Sequence, residues 1–339
     1  MGLTASTAIQ DAPGANALER LIEATQNDMA DVNALILSRA QSHVDLVPKL
    51  ANYLIEAGGK RLRPMLVVAA AELFGSSGRA QINFAAAIEF LHNATLLHDD
   101  VVDESNMRRG RPAARIIWGN QASVLVGDFL LGQAFMMMVE TGDLDALATI
   151  ARASTVIAEG EVLQLTKTKD LSTTATDYAE VIRAKTATLF EAATEIGAMA
   201  GGANAAGREA LRVYGLELGL AFQLVDDVLD YRGQADTLGK NTGDDLREGK
   251  MTLPVILALA AATAEEKAVI AATLGQADAD ESAFGAVLAI LDKYKVLERT
   301  LDQAIGHARA AQAALGALPA SPMRTLLSEI ADFCVARAY

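Results

Sequence analysis

Apolar residues recur at three- and four-residue spacing along nearly all of this 339-residue chain, and no stretch settles into the alternation of a half-buried strand. A chain patterned this way buries helix stripes against helix stripes, which constrains its fold more than any single motif does. Hydrophobic residues make up 51% of the chain but aromatics only 5%, so the apolar share is chiefly Ala, Leu, Val and Ile. Ala and Leu head the helix-propensity ranking. The spacing predicts helices over roughly 18–42, 45–57, 62–74, 79–104, 122–141, 144–168, 175–200, 206–232, 252–262, 278–315 and 322–337. Breaks fall at Gly58-Gly59, at the GSSG stretch (75–78), at Gly201-Gly202, and in two polar loops, 104–121 and 232–250. No low-complexity linker divides the chain. The expectation is therefore an all-α single domain over 17–339, preceded by a disordered tail over 1–16.

The formal net charge of -14 argues against a nucleic-acid partner, because a phosphate backbone needs a basic face. An anionic substrate would need cations gathered locally, or metals. The single cysteine, Cys334, excludes an internal disulfide framework and a thiolate zinc site and fits a reducing cytoplasm. The richest apolar segment, 253–263, is too short to span a membrane, so no membrane span is expected. The chain has no GxxxxGK[ST] loop, no strand-linked GxGxxG, no HExxH and no GxSxG.

What it does have is two aspartate clusters, each closing an apolar helix and each followed by a polar loop carrying cations: HDDVVDESNMRRG (98–110) and VDDVLDYRGQADTLGK (225–240). Asp99 and Asp103 are four residues apart and share a helix face, as do Asp226 and Asp230. Gln223, Asp226, Asp227 and Asp230 span an arc of about 100°. Carboxylates in the last turn of a helix are opposed by its dipole, an arrangement easier to understand if metal ions lie there. Oxygen-only ligands suit a hard cation, Mg²⁺ before Zn²⁺, and Mg²⁺ prefers to bridge to substrate phosphates. Two facing carboxylate pairs therefore suggest a clamped diphosphate. The cations cluster as well, in GGKRLRP (58–64) with Lys60, Arg61 and Arg63, and again at Arg108, Arg109 and Arg111, while Lys185, Lys240 and Lys250 stand singly. Any one of these alone would read as solvated surface. Two arginine groups flanking an acidic cluster point to a second phosphate site, and His92, seven residues before Asp99, lies on nearly the same face.

At these residues the chain resembles the trans-isoprenyl diphosphate synthases, or polyprenyl synthetases, from about residue 45 to the C-terminus. The resemblance rests on GGKRLRP, FLHNATLLHDDVVDESNMRRGRP, Gly127-Asp128, AKTATLF, LAFQLVDDVLDY and LGKNTGDDLREGKMTLP. One departure is Met251, where the family often has Pro. The resemblance implies a helical bundle around a deep central cavity, usually homodimeric. It also implies that Asp99 and Asp103, with Asp226 across the cavity, hold three Mg²⁺ ions on an allylic diphosphate, helped by Asp227 and Asp230. Lys60, Arg63, His92 and Arg109 would form the isopentenyl diphosphate pocket. Arg108, Lys185 and Lys240 would meet the allylic diphosphate, with Thr186 and Gln223 near the developing cation, and the 232–250 loop would close as a lid. In this family bulky residues just before the first aspartate motif shorten the product. Ala94 and Thr95 are small, so the expected product is octaprenyl, nonaprenyl or decaprenyl diphosphate for quinone side chains, released with transient membrane contact. Phe135 and Met136 to Met138 are candidates for a deeper floor, although a methionine stripe is more often ordinary core. The rivals are a geranylgeranyl or farnesyl diphosphate synthase, a terpene cyclase, and a non-catalytic partner subunit, which would be expected to lose one motif.

Overall fold

The computed structural model describes residues 16–75, 78–232, 242–276 and 280–337. The expected tail, apart from Asn16, and Lys240 lie outside the described residues, as does 233–241 of the expected lid. Helices dominate: α1 Ala17–Arg39, α2 Leu46–Glu56, α3 Leu62–Glu72, α4 Ala80–Val102, α5 Ala114–Trp118, α6 Asn120–Thr141, α7 Leu144–Lys167, α8 Ala175–Ile182, α9 Thr188–Ala200 and α10 Ala205–Arg232. They continue as α11 Asp244–Glu248, α12 Leu253–Ala261, α13 Ala264–Thr273, α14 Glu281–Lys293, α15 Val296–Leu315 and α16 Pro322–Ala336. Two short strands, β1 Met107–Arg108 and β2 Arg111–Pro112, pair in the loop after α4, and a π-helical turn, Arg183–Ala187, joins α8 to α9.

Local chemistry starts these helices. The Asp143 and Asp280 side chains accept the N–H groups of Ala146 and Ala283, and Thr174/Asp177 and Thr263/Glu266 form reciprocal capping boxes. Two expected helices were drawn too long. The segment 278–315 is split at Lys295, which takes a left-handed φ of 51°, and 175–200 contains the π turn. Neither break is marked by Gly or Pro, the residues that usually signal one. Helix α13 went unread because its apolar content is slight, with Ile270 as its buried anchor.

The core forms two clusters. One gathers Phe84, Phe90, Phe190 and Tyr214 from α4, α9 and α10, and the other gathers Tyr178, Val228, Tyr231 and Leu291. Helix α10 belongs to both, its earlier turns to the first and its later turns to the second.

Composition and burial diverge in one helix. Helix α6 is long and apolar enough to cross a membrane by length and composition, with a mean hydropathy of 1.7 over an 18-residue window, 39% of it buried. Its polar residues are scattered, so no unbroken apolar run betrays it. Leu130, Ala134, Met137 and Met138 are buried in the core, whereas Met136 is 52% exposed. None of residues 130–140 lines the central cavity, so the methionines are ordinary core or surface.

Candidate active site

Both aspartate clusters open onto one cavity of about 540 Å³. On one side α4 ends at Asp99 and Asp103. Lys185 Nζ stands 3.8 Å from Asp99, and Lys250 Nζ stands 3.0 Å from Asp103 and 2.6 Å from Glu248. Burial raises the Asp99 carboxyl, against the pull of Lys185. Burial acts the same way on Asp103, but Lys250 and Lys185 outweigh it and hold that carboxyl below its usual range. Lys250 is itself raised: burial works against its charge, and Asp245, Asp103 and Glu248 overcome that.

Lys185 reaches this position through a backbone device. The π turn presses against α7 at Gly160, where an added Cβ would lie 2.6 Å from Ala184 Cβ and 3.1 Å from Lys185 N. Any side chain at 160 would push the turn away. Lys185 Nζ also contacts Glu161 at 2.8 Å, and burial, then the Asp99 charge, pushes the Glu161 carboxyl up to about 7.

Asp226, Asp227 and Asp230 lie in the last two turns of α10. Asp226 Oδ1 meets Arg337 Nη2 at 2.6 Å, and that guanidinium stacks 4.6 Å over Phe222. Asp227 is buried and accepts from Gln223 at 2.7 Å and from Tyr178 at 2.5 Å; burial, then the Asp245 charge, raises it to about 8. Asp230 accepts the Asp245 N–H at 3.3 Å. The middle aspartate of the first cluster also faces inward: Asp100, 1% exposed, takes Arg108 through Nε at 2.8 Å and Nη2 at 2.6 Å.

The basic pocket adjoins the first wall. Arg63 stacks 4.4 Å over Phe190 and reaches His92 Nε2 at 3.4 Å. Burial lowers Arg63 to about 10, so it stays charged at neutral pH. Burial, then the charges of Arg63, Arg109 and Arg108, lowers His92 well below its ordinary range and leaves the imidazole neutral. Arg109, at φ 52°, donates to Gly58 O. Gly59, at φ 141°, makes room for it: a Cβ there would sit 3.0 Å from the guanidinium. Lys60 lies 5.2 Å over the Phe333 ring. Arg63 Nε is buried without a hydrogen-bond partner, as expected of a donor set aside for an anion.

The donors fit divalent cations. The carboxylates offer only oxygen, and ammonium groups rest against Asp99 and Asp103. Among the described residues no three His, Cys, Asp or Glu side chains form a preformed cage. An ion here would complete its shell with substrate oxygens and water, as Mg²⁺ prefers.

Of the ligand and phosphate-site candidates singled out from sequence, all but Lys240 are described, and all of those except Arg111 border the cavity or its basic rim; of the chain-length candidates only Thr95 does. Thr95 lines the cavity. Ala94 does not: it is 1% exposed in the core, one turn before His98, whose ring reaches α6 at Val124. Sequence reasoning missed Glu89, Glu161, Tyr178 and Arg337 and gave Lys250 no role. Glu89 was findable, since 89, 92, 96, 99 and 103 fall at three- and four-residue spacing on one face of α4. Burial raises its carboxyl beneath Arg61, Arg63 and Arg109.

Fold and site together define a class, the all-α synthases of the isoprenoid type. The chain belongs to the polyprenyl synthetase family, whose model matches residues 44–291. It is similar to octaprenyl diphosphate synthase of Escherichia coli K12, at 46% identity covering 94% of this chain and 99% of that one. A polyprenyl synthase from Caulobacter crescentus CB15, crystallised with calcium and isoprenyl diphosphate, is 52% identical with a TM-score of 0.92, covering 95% of this chain and 98% of that one. A decaprenyl diphosphate synthase from Rhodobacter capsulatus is 49% identical with a TM-score of 0.90, covering 95% and 99%.

Proposed function

We propose that the protein condenses isopentenyl diphosphate with an allylic diphosphate, head to tail, and makes a long-chain all-trans polyprenyl diphosphate for quinone side chains. The observation that carries this reading is the facing of two carboxylate walls and an arginine pocket across one cavity. Asp99, Asp103 and Asp226 would hold Mg²⁺, three ions per site, with Asp230 assisting. When bound, the ions neutralise diphosphate charge and ease departure of the leaving group. Lys185 and Lys250, and Lys240 from outside the described residues, would meet that charge directly. Arg108 would do so while anchored by Asp100. Lys60, Arg63, Arg109 and neutral His92 would bind isopentenyl diphosphate and hold its double bond towards the allylic carbon. Thr186 and Gln223 would border the developing cation. No side chain here is an obvious base, so the departing diphosphate takes the proton.

Thr95 leaves the wall beneath Asp99 open to a growing chain. The partner we propose is a second copy: Leu125 at 67%, Val139 at 61% and Val162 at 61% exposed give α6 and α7 an outward apolar face that dimerisation would cover. Cys334 is free and buried, which suits the cytoplasm, with membrane contact when the product leaves. The test is condensation by the purified chain with farnesyl diphosphate, radiolabelled isopentenyl diphosphate and Mg²⁺, followed by chromatography of the dephosphorylated product. Octaprenyl to decaprenyl chains are expected. Products of twenty carbons or fewer would make it a short-chain enzyme, and no product from the chain alone would make it a partner subunit.

A further inference from the structure

Asp227 occupies the centre of the second motif, and its hydrogen bonds run into the fold. Oδ1 accepts from Gln223 Nε2 at 2.7 Å along α10, one turn away, and Oδ2 accepts from Tyr178 OH at 2.5 Å across from α8. The other end of the same amide is also engaged, because Thr186 Oγ1 donates to Gln223 Oε1 at 2.7 Å. A glutamine amide can present either its oxygen or its nitrogen to a neighbour with little change of shape, and a hydroxyl can answer either. At Asp227 both oxygens accept: the Tyr178 hydroxyl gives to one, and the Gln223 NH₂ gives to the other. The amide oxygen is then turned to Thr186. Thr186 gives its one proton to that oxygen, which leaves its own lone pairs for the cavity that both residues line.

We propose that, in the condensation assigned above, Asp227 is a positioning residue and not a metal ligand: with Tyr178 it locks the Gln223 amide so that the oxygens of Gln223 and Thr186 face the developing allylic cation. Tyr178 thereby acts on the reaction through two intervening side chains. Oxygen dipoles fixed before the reaction stabilise positive charge without reorganising as it forms. Asp226, one position earlier, is left to the cavity side and to Arg337.

The experiment uses the full chain, with single-turnover condensation kinetics at varied Mg²⁺ and Mn²⁺ bound in the presence of inorganic diphosphate counted by electron paramagnetic resonance. Tyr178→Phe should lower the rate about tenfold, the scale of one lost hydrogen bond. Substrate KM and the Mg²⁺ half-saturation should stay within about twofold of the parent. Gln223→Leu should lower the rate about 100-fold, and adding Tyr178→Phe to it should change nothing further, because the hydroxyl acts through the amide. Asp227→Asn should follow Tyr178→Phe and keep the parent Mn²⁺ count. A lower Mn²⁺ count in Asp227→Asn would show it to be a ligand. An undiminished tenfold effect of Tyr178→Phe in the Gln223→Leu background would reduce the tyrosine to packing. Should Tyr178→Phe fail to fold in thermal melts, Asp227→Asn and the Mn²⁺ count decide alone. An inactive parent chain would defeat the condensation reading, while the Mn²⁺ count would still report on Asp227.

Discussion

On the α4 wall Asp99 and Asp103 rest against ammonium groups, at 3.8 and 3.0 Å. On the α10 wall Asp226 meets a stacked guanidinium, Asp227 a phenol and an amide, and Asp230 a backbone N–H. Both walls spell the same five-residue motif, yet one is held by flexible point charges and the other by fixed donors. A lysine ammonium on a four-carbon stem can yield its place to a cation and turn to a diphosphate, whereas a bidentate or buried partner cannot do so cheaply. The centres of the two motifs agree with each other. At 100° per residue the middle aspartate is turned off the face that its two neighbours share: Asp100 clamps Arg108, and Asp227, although it borders the cavity, takes Gln223 and Tyr178. A DDxxD motif here is two outward groups and one inward one.

The broadest way to break the symmetry is to remove an outward group from each wall. Asp99→Ala and Asp226→Ala should each cut condensation by about 10³-fold or more at saturating Mg²⁺. Retention of a tenth or more of the parent rate by either would mean that its wall is dispensable. The inward groups should differ in stability. Asp100→Asn leaves the half-buried Arg108 beside a neutral amide and should lower unfolding free energy by about 2 kcal/mol in denaturant titrations. Asp227→Asn strands no cation, and its loss should stay below that. Equal losses would mean that Asp100 and Asp227 are held in the same way.

Much of this was legible because it depends on period. Helical spacing located the bundle, and i, i+4 arithmetic put Asp99 with Asp103 and Asp226 with Asp230. Spacing groups Asp227 with Asp226 and Asp230 on one arc, and the partners that turn it into the fold were beyond reach. Tyr178, Glu161 and Arg337 come from helices whose sequences carry no motif, and only the crossing of α7, α8 and α16 with α4 and α10 brings them to the cavity. The π turn was unreadable for a similar reason: the bare Cα of Gly160, against which it packs, lies more than twenty residues earlier on another helix.

Chain length sharpens the α4 wall further. Ala94 and Thr95 are neighbours in sequence and both small, yet only Thr95 lines the cavity. Thr95→Phe should shift the product to short chains at near-parental stability. Ala94→Phe must force its ring into the packed side of α4, with a loss of about 1–3 kcal/mol. Short products from Ala94→Phe at unchanged melting temperature would show that the growing chain runs on that side, against the cavity drawn here.

Each wall also carries a carboxyl raised by burial, and here the two can be separated by pH. Asp227 is raised by burial and the Asp245 charge, with no lysine beside it. Glu161 is raised by burial and the Asp99 charge, with Lys185 at 2.8 Å opposing the shift. Glu161 ionises near 7 in the fold, against an ordinary 4.5. Between those values the folded protein keeps a proton that the unfolded chain has released, so raising the pH favours unfolding. The loss begins near the unfolded value and is complete once pH has passed the folded one. The shift corresponds to about 3 kcal/mol, and solvent reaching the cavity reduces that to about 2. Glu161→Gln cannot ionise, so its stability relative to the parent should rise by about 2 kcal/mol between pH 4 and pH 8 in substrate-free denaturant titrations. A flat difference across that range would mean that Glu161 is ionised throughout and paired with Lys185 as an ordinary ion pair. The α4 wall would then contain two lysines balanced by three full charges, and its contrast with the hydrogen-bonded centre of α10 would widen.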